Sequence, residues 1–382
     1  MARGRRHHRQ RGTLLALLCI LLTAAGCQPG ARPAGGPLWG LIGPYDQVNL
    51  SELHQQGVDV VLLEMSWAAA QPREHYYDER YLSAVRAQRD RFRAAGLKIV
   101  LNFGLHHAPA WVLSRPDALF TDQNGTRYVN DDVADLVFGY RLRPLAEAYT
   151  GRVFSELGTD FYAVRVGGGP KGELGYPAVK STQGYLPDYP AFSAAAATGN
   201  PVPGWRPCNP SPRHEAERFL DWYMRSLVDF QRWQIDTVRR FYPGTIAVLY
   251  PSLGVGADDI GAAVRDDLCG NTDAQRSGDL QRGYDHARQI AALPARGVAV
   301  WATWTDNPVA LERLGALAQA RHLDLMGENS GADTPPAMRR SVADARRFRL
   351  SAFLWVRAPE AYCFCNGYAS IDEYLKAVTG DA

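Results

Sequence analysis

Residues 164–177 read Val164-Arg165-Val166-Gly167-Gly168-Gly169-Pro170-Lys171-Gly172-Glu173-Leu174-Gly175-Tyr176-Pro177. An apolar, strand-like segment leads directly into a glycine-rich turn that presents one carboxylate, Glu173. Three consecutive glycines allow backbone conformations closed to other residues and leave space over the strand end for a ligand. A tight structural turn with a solvated glutamate would show the same pattern, so the choice depends on the rest of the chain.

Short apolar runs alternate with longer helical segments along the chain, which is the pattern of repeated β/α units. Eight runs are predicted strands: Leu38–Ile42, Val58–Leu63, Lys98–Phe103, Tyr162–Val166, Ile246–Tyr250, Val298–Trp301, Leu323–Met326 and Ser351–Val356. Apolar and charged residues at helical spacing predict helices at Tyr81–Ala95, Glu215–Phe241, Ala310–Ala320 and Pro336–Arg347. Eight such units predict an α/β protein with a single (β/α)8 TIM barrel over residues 38–382.

Two of the predicted loops are long. Residues 105–146 follow the third strand and residues 176–215 follow the fourth, and the second of these loops is rich in proline. Long loops in compact domains tend to be functional. We expect these two to wall a cleft above Glu173, with surface decoration as the alternative.

The active site of a (β/α)8 barrel lies at the carboxyl ends of its strands. Seven consecutive predicted strand ends carry polar or aromatic side chains: Glu64 and Trp67, then His106, His107 and Trp111, then Glu173, Tyr250, Trp304 and Asp306, Glu328, and finally Arg357 and Glu360. Arg165, Tyr176 and Asn329 adjoin these positions. We therefore expect a site at this rim of the barrel.

Two carboxyl groups at one rim suit glycoside hydrolysis, in which one assists the leaving group and the other acts as nucleophile or activates water. Glu173 and Glu328 are the predicted catalytic pair. The predicted substrate-binding residues are Glu64, Trp67, His106, His107, Trp111, Arg165, Tyr176, Tyr250, Trp304, Asp306, Asn329 and Arg357. Aromatic rings suit the apolar faces of sugars, although a single tryptophan or histidine is more often a core residue.

The turn resembles a segment of the β-amylases, glycoside hydrolase family 14. Gly172-Glu173-Leu174-Gly175-Tyr176-Pro177, preceded by Gly169-Pro170, is similar to that family's Gly-Pro-Ala-Gly-Glu-Leu-Arg-Tyr-Pro, whose glutamate is the general acid. Residues 57–67, 121–127 and 327–329 have counterparts in the same order. The resemblance implies that Glu64 occupies the place of a sugar-binding aspartate and that Glu173 donates a proton.

A second resemblance is to the barrel of the family 42 β-galactosidases. It rests on Tyr76-Tyr77-Asp78, on Gly96-Leu97-Lys98-Ile99-Val100-Leu101 and on Ala108-Pro109-Ala110-Trp111-Val112-Leu113. The clan of that family has its acid/base glutamate after strand four and its nucleophile after strand seven, which is where Glu173 and Glu328 fall. The asparagine that usually precedes the acid/base is replaced here by Gly172.

The chain departs from the β-amylases at their general base, a glutamate after strand six. The matching stretch, Trp301-Ala302-Thr303-Trp304-Thr305-Asp306, contains no glutamate. We therefore expect a retaining glycosidase with Glu173 as acid/base and Glu328 as nucleophile. An inverting enzyme with Asp306 or Glu64 as base is an alternative, and a barrel that binds glycans without cleaving them is another. The glycan, the anomer and the choice between endo and exo action stay open.

The N-terminus has the features of an export signal, residues 1–27, followed by a flexible tether over residues 28–37. Basic residues precede an apolar run, Leu14–Leu22, that is short for a membrane span. Thr23-Ala24-Ala25-Gly26-Cys27 resembles the lipobox of bacterial lipoproteins, which implies lipid attachment at Cys27. We expect an exported cell-surface or periplasmic lipoprotein held at the membrane by this anchor, with ordinary secretion as the alternative.

Charge and cysteine content limit the partners. The net charge is +2, but five arginines lie in the first eleven residues, and the remainder has 37 basic and 40 acidic residues, a net charge of −3. We therefore expect no nucleic-acid partner. Beyond Cys19 and Cys27, Cys208, Cys269, Cys363 and Cys365 permit three disulfide pairings. Carboxylate-pair hydrolysis needs no cofactor, and the sequence predicts no metal site.

Overall fold

The structure is a computed structural model that describes residues 36–43, 45, 48–129, 133–178, 180–181, 184–185, 187–270, 274–331, 333–356 and 367–380. The predicted export signal and Cys27, most of the predicted tether, Arg357, Glu360, Cys363 and Cys365 lie outside the described residues. None of the described helices is long and apolar enough to cross a membrane.

Eight parallel strands form a closed barrel. They are β1 (Leu38–Ile42), β2 (Val60–Glu64), β3 (Lys98–Asn102), β4 (Ala163–Val166), β7 (Thr245–Tyr250), β8 (Val298–Ala302), β9 (Asp324–Glu328) and β10 (Ala352–Val356). Their order around the barrel is β1-β10-β9-β8-β7-β4-β3-β2, so each strand neighbours its predecessor and successor in the barrel. Between β4 and β7 lies a two-stranded antiparallel hairpin, β5 (Lys180–Ser181) and β6 (Gly184–Tyr185). The predicted (β/α)8 barrel is confirmed.

Helices follow the barrel strands. They are α1 (Leu50–Gln55), α2 (Trp67–Ala70), α3 (Glu79–Ala94), α4 (Ala110–Leu113), α5 (Arg143–Leu157), α6 (Ala194–Ala197), α7 (Glu215–Arg239), α8 (Ala257–Arg265), α9 (Ala274–Gln281), α10 (His286–Ala291), α11 (Pro308–Ala320), α12 (Pro335–Arg347) and α13 (Ile371–Thr379). The four predicted helices correspond to α3, α7, α11 and α12, with ends within two residues of the prediction. Single turns of 3-10 helix occupy Tyr140–Leu142 and Pro170–Gly172.

The alternation of side chains along each strand separates two cores. Apolar side chains at alternate positions fill the barrel interior, among them Val60, Leu62, Val100, Leu249 and Trp301. The intervening positions pack outward against the helices and belong to a larger cluster. Successive side chains of a strand point to opposite faces. The alternation therefore continues to the carboxyl end of each strand, where it decides which side chain faces into the barrel mouth.

The two long loops are joined above the barrel. The Phe192 backbone N–H donates to Thr121 O at 2.8 Å, and the Tyr189 N–H donates to Gln123 Oε1 at 2.9 Å. A disulfide between Cys208 and Cys269 ties the second loop to the segment after α8. The structure thus selects one pairing partner for Cys208 and fixes both loops on the side of the barrel where the strands end.

Candidate active site

One layer of polar side chains continues the interior face of three neighbouring strands. Glu64 follows Val60 and Leu62 on β2, and the register pairs Glu64 with Asn102 on β3 and Asn102 with Arg165 on β4. The Asn102 side-chain amide donates to Glu64 Oε1 at 3.3 Å. The strand register therefore brings these three side chains to the same depth at the barrel mouth.

Glu328 occupies the matching interior position on the opposite wall, at the end of β9. Arg165 donates to it twice, from Nη1 to Oε2 at 2.8 Å and from Nη2 to Oε1 at 3.0 Å. Both side chains are buried, and the guanidinium also lies over the Trp301 ring, 4.8 Å from its centroid. A bidentate pair of this kind fixes the carboxylate plane as well as its position.

Burial raises the pKa of Glu328 to about 7, against the lowering effect of Arg165. The negative charges of Glu173 and Glu64 contribute to this rise. The charges of Glu173 and Glu64 therefore both act on Glu328 at the rim of the barrel. The two predicted catalytic glutamates are 155 residues apart in sequence, yet the charge of Glu173 acts on the ionisation of Glu328.

The glycine turn that carries Glu173 is folded closely on its own backbone. A side chain at Gly167 would meet the carbonyl oxygen of Gly172 at 2.1 Å, and one at Gly169 would meet the carbonyl oxygen of Gly175 at 2.2 Å. The Gln234 side chain on α7 bonds both the N–H and the C=O of Gly167, each at 3.2 Å. The turn is thus a rigid support for the carboxylate.

Glu173 is largely buried, and the Thr303 hydroxyl donates to its Oε1 at 2.7 Å. Burial raises the pKa of Glu173, while the Thr303 hydrogen bond and the nearby Lys171, Arg282 and Arg165 lower it. A buried carboxyl group with a raised pKa keeps its proton to higher pH than an exposed one does, which suits a general acid.

Two adjacent histidines lie beside this turn. The rings of His106 and His107 are 4.0 Å apart between centroids, and His106 Nδ1 lies 3.1 Å from the place of a side chain at Gly172. Burial lowers the pKa of His106 to about 3, with help from the charges of His107 and Arg165. One ligand atom from each of Glu64, His106 and His107 lies within 4.8 Å of the others.

Several of the predicted substrate-binding aromatic residues lie in the core beneath the site. Trp67, Tyr176 and Tyr250 are fully buried. Their polar groups donate to protein acceptors, Trp67 Nε1 to Gln71 Oε1, Tyr176 OH to Tyr223 O and Tyr250 OH to Gln231 Oε1. Trp111 is partly exposed, and its Nε1 donates to Gln71 O. Only Trp111 of these four retains surface beyond the core.

The side chains of Asp306 and Asn329 are hydrogen-bonded to neighbouring segments of the chain. Asp306 accepts from the Ser330 backbone N–H at 3.0 Å and from the Ser330 hydroxyl at 2.7 Å. Asn329 is buried and accepts from the Val356 N–H at 2.6 Å, while its amide donates to Asp333 Oδ2 at 3.0 Å. Trp304, two residues before Asp306, has part of its surface exposed. Asn329 therefore fastens the end of β9 to the end of β10.

Four residues in contact with the site carry no distinctive sequence signal: Asn102, Lys171, Arg282 and Thr303. Asn102 and Thr303 are two residues beyond the interior residues Val100 and Trp301, so counting alternate positions along β3 and β8 would have found them. Lys171 lies in the single 3-10 turn and Arg282 in the turn after α9, where no periodicity applies.

Comparison with known proteins gives two related matches in sequence. A model of the family 42 β-galactosidases matches residues 46–142, about a quarter of the chain. The β-amylase of Vigna unguiculata is 27% identical over 168 residues, which is 36% of this chain and 32% of that protein. The match thus spans about a third of the curated relative.

Solved structures resemble the chain over most of its length. The catalytic domain of the β-amylase from Paenibacillus polymyxa gives a TM-score of 0.68 at 16% identity, covering 92% of this chain and 100% of that one. The β-galactosidase of the haloarchaeon Halorubrum lacusprofundi gives 0.55 at 14% identity, covering 90% and 57%. Likeness at these identities establishes the fold. The chain is a (β/α)8 barrel that resembles two families of glycoside hydrolases, the β-amylases and the family 42 β-galactosidases.

Proposed function

We propose that the protein is a glycoside hydrolase in which Glu173 is the acid/base and Glu328 the nucleophile, acting with retention. The observation that carries this proposal is the pairing of two buried carboxyl groups at the carboxyl ends of β4 and β9. The similarity of the chain to two families of (β/α)8 glycosidases supports the same reaction class.

The hydrogen bonds support the assignment of roles. The negative charge of Glu173 opposes ionisation of Glu328, so the site favours one proton held between the two. The two hydrogen bonds from Arg165 favour the ionised form of Glu328, whereas Glu173 accepts one bond from a neutral hydroxyl. Burial raises the pKa of both carboxyl groups, and we assign the proton to Glu173 and the negative charge to Glu328 because Arg165 bonds Glu328 twice. An acid and a nucleophile require this state at the start of the reaction.

The reaction proceeds in two steps. Glu173 protonates the glycosidic oxygen while a Glu328 oxygen attacks the anomeric carbon, so the leaving group departs as an alcohol and a glycosyl-enzyme ester forms. Glu173, now ionised, then takes a proton from water as that water attacks the same carbon and releases Glu328. Both carboxyl groups return to their initial states.

The product stereochemistry tests this proposal. Purified protein is screened on a panel of defined α- and β-linked glycans and aryl glycosides, and the first product is followed by NMR of its anomeric proton. We expect retention, and a loss of about 10²–10⁴-fold in kcat for Glu173→Gln and Glu328→Gln. Glu312→Gln, an exposed glutamate on α11, is the matched control and should keep full activity.

Other outcomes contradict parts of the proposal. Inversion would assign the base role to another acid, and Glu64 then becomes the first candidate because both Asp306 oxygens already accept from Ser330. Binding of oligosaccharides without turnover on any glycan of the panel would identify a glycan-binding barrel instead.

We also propose that the chain is exported and anchored through a lipid on Cys27. The Cys208–Cys269 disulfide supports an oxidising compartment. Metabolic labelling with a radioactive fatty acid should mark the wild-type protein and not Cys27→Ala, which should appear in the soluble fraction. An unlabelled wild-type protein that fractionates like Cys27→Ala would overturn the anchor.

A further inference from the structure

We propose that Glu64, His106 and His107 form a binding site for a late first-row divalent metal ion, such as Zn²⁺, at the mouth of the barrel. The donor set is two imidazoles and one carboxylate whose ligand atoms lie within 4.8 Å of one another. Zinc sites with catalytic or substrate-binding roles use three protein ligands of these types and leave a further position open.

The ligands need a small movement to meet an ion. Metal–ligand bonds of about 2.0–2.2 Å put neighbouring ligand atoms roughly 3.4 Å apart in a tetrahedral site, so ligand atoms that lie within 4.8 Å of one another must approach by at most about 1.4 Å. Glu64 can supply this movement because its side chain is exposed and its only described hydrogen bond is the 3.3 Å contact from Asn102. Rotation about its side-chain bonds brings an oxygen toward the imidazoles while that contact persists.

The backbone holds both histidines in place beforehand. The turn from Gly104 to His107 is closed by the His107 N–H bonding to Gly104 O at 3.1 Å. The turn also accepts a hydrogen bond from the start of α2, where the Ala68 N–H donates to His107 O at 2.7 Å. Gly104, at φ +69°, packs its α-carbon against the carbonyl oxygen of Met65 so closely that a side chain would lie 2.0 Å away.

The imidazole nitrogens are available. Among the described residues, neither the His106 ring nor the His107 ring has a hydrogen bond to a protein group, and the two rings lie against each other. Arg165, whose charge acts on His106, has its two terminal nitrogens bonded to Glu328. The outer amide of Asn102 orients the third ligand, as partners of metal-binding side chains commonly do.

The donor types select the class of ion. Imidazole nitrogen favours Zn²⁺, Cu²⁺, Ni²⁺ and Fe²⁺, whereas Ca²⁺ and Mg²⁺ prefer sites made of oxygen ligands. The open positions would face the cleft beside Glu173, where an ion can bind a pair of adjacent sugar hydroxyls. This role rests on the proposed glycosidase function, but the existence of the site does not.

Isothermal titration of the chelator-treated full-length protein with ZnCl₂, without glycan, tests the site directly. We expect saturable binding that is roughly a hundredfold or more weaker in Glu64→Gln and in His107→Gln, since changing even outer partners of metal ligands costs about 10–100-fold in affinity. His75→Gln is the matched control, because His75 is an exposed histidine beside a carboxylate, Glu74, and is not one of the three proposed ligands.

The outcomes test the metal site separately from the proposed glycosidase function. Absence of Zn²⁺ binding, or binding that is equal in the wild type, Glu64→Gln and His107→Gln, would overturn the metal site even if the protein cleaves glycans. Binding that depends on Glu64 and His107 in a protein without glycosidase activity would support the metal site and contradict the proposed function. Circular dichroism of Glu64→Gln, whose change lies on an exposed side chain, verifies that lost binding reflects a lost ligand.

Discussion

Arg165 and Glu328 bond across the mouth of the barrel from strands that are separated by two others, β7 and β8. Both are interior residues on their strands, and both are buried. The pair therefore connects opposite walls of the barrel at the level of the site.

Arg165→Met should lower the free energy of unfolding by about 3–5 kcal/mol, because it leaves a buried carboxylate without its partner. The folded-state pKa of Glu328, already raised to about 7, rises further without Arg165. A raised acid pKa contributes stability at low pH that is lost as pH rises through the folded value. The loss should thus be larger at pH 8 than at pH 5 in urea unfolding.

Glu328→Gln added to Arg165→Met is the control for this prediction. The neutral amide removes the uncompensated charge, so the double variant should be more stable than Arg165→Met at pH 8. An equal loss at pH 5 and pH 8 in the single variant would show that the effect comes from packing.

Thr303→Val should change the pKa of Glu173, because it removes the Thr303 hydroxyl while nearly keeping the size of that side chain. The Thr303 hydroxyl lowers the pKa of Glu173, so its removal should raise that pKa and move the basic limb of the kcat/KM profile to higher pH. Thr303→Ser keeps the hydroxyl and should keep the wild-type limb. A pH profile of Thr303→Val that matches the wild type would separate this hydrogen bond from catalysis.

Asp135 should make stability depend on pH. It is fully buried, and burial raises its pKa to about 7 from 3.8, while the Phe138 N–H donates to it at 2.8 Å. Its folded pKa exceeds its unfolded one, so stability present below pH 4 should be lost as pH rises to 7, by up to about 4 kcal/mol. Urea unfolding of Asp135→Asn should lack this decline, and parallel pH curves for the two proteins would contradict the prediction.

Gly167→Ala should displace Glu173, because the added carbon would lie 2.1 Å from the Gly172 carbonyl oxygen. We expect kcat to fall by about 10²-fold, as misplacement by about 1 Å does in other sites. Gly204→Ala is the matched control, since nothing lies within 4 Å of its added carbon. Equal activity of the two variants would show that the turn adapts.

Cys208→Ser with Cys269→Ser should destabilise the loops around the cleft. The bond closes a loop of 61 residues, for which the chain-entropy model gives about 4 kcal/mol. Thermal unfolding with and without a reductant should show the same decrease in Tm as the double variant. A reductant effect that persists in the double variant would trace it to other cysteines.

The sequence was sufficient to predict the barrel because each strand is an apolar run between longer amphipathic segments. It was also sufficient to bring Glu173 and Glu328 to one rim, since both follow such runs. Alternation alone cannot tell on which side of a strand end an aromatic ring packs, and Trp67, Tyr176 and Tyr250 are in the core. Thr303 and Asn102 were missed because small polar residues at strand ends are common, and the pairing of Cys208 depends on loop paths that sequence does not encode locally.

The closed glycine turn also bears on how this barrel can be altered. Residues 167–175 pack against their own backbone and against Gln234, so they leave little freedom for substitution. The following loop, residues 176–215, is joined to the preceding long loop through Gln123 and Thr121 and to the segment after α8 by the disulfide. Protein engineering aimed at new specificities should therefore exchange that loop between its anchors and keep the turn unchanged, since the two segments can vary as separate modules.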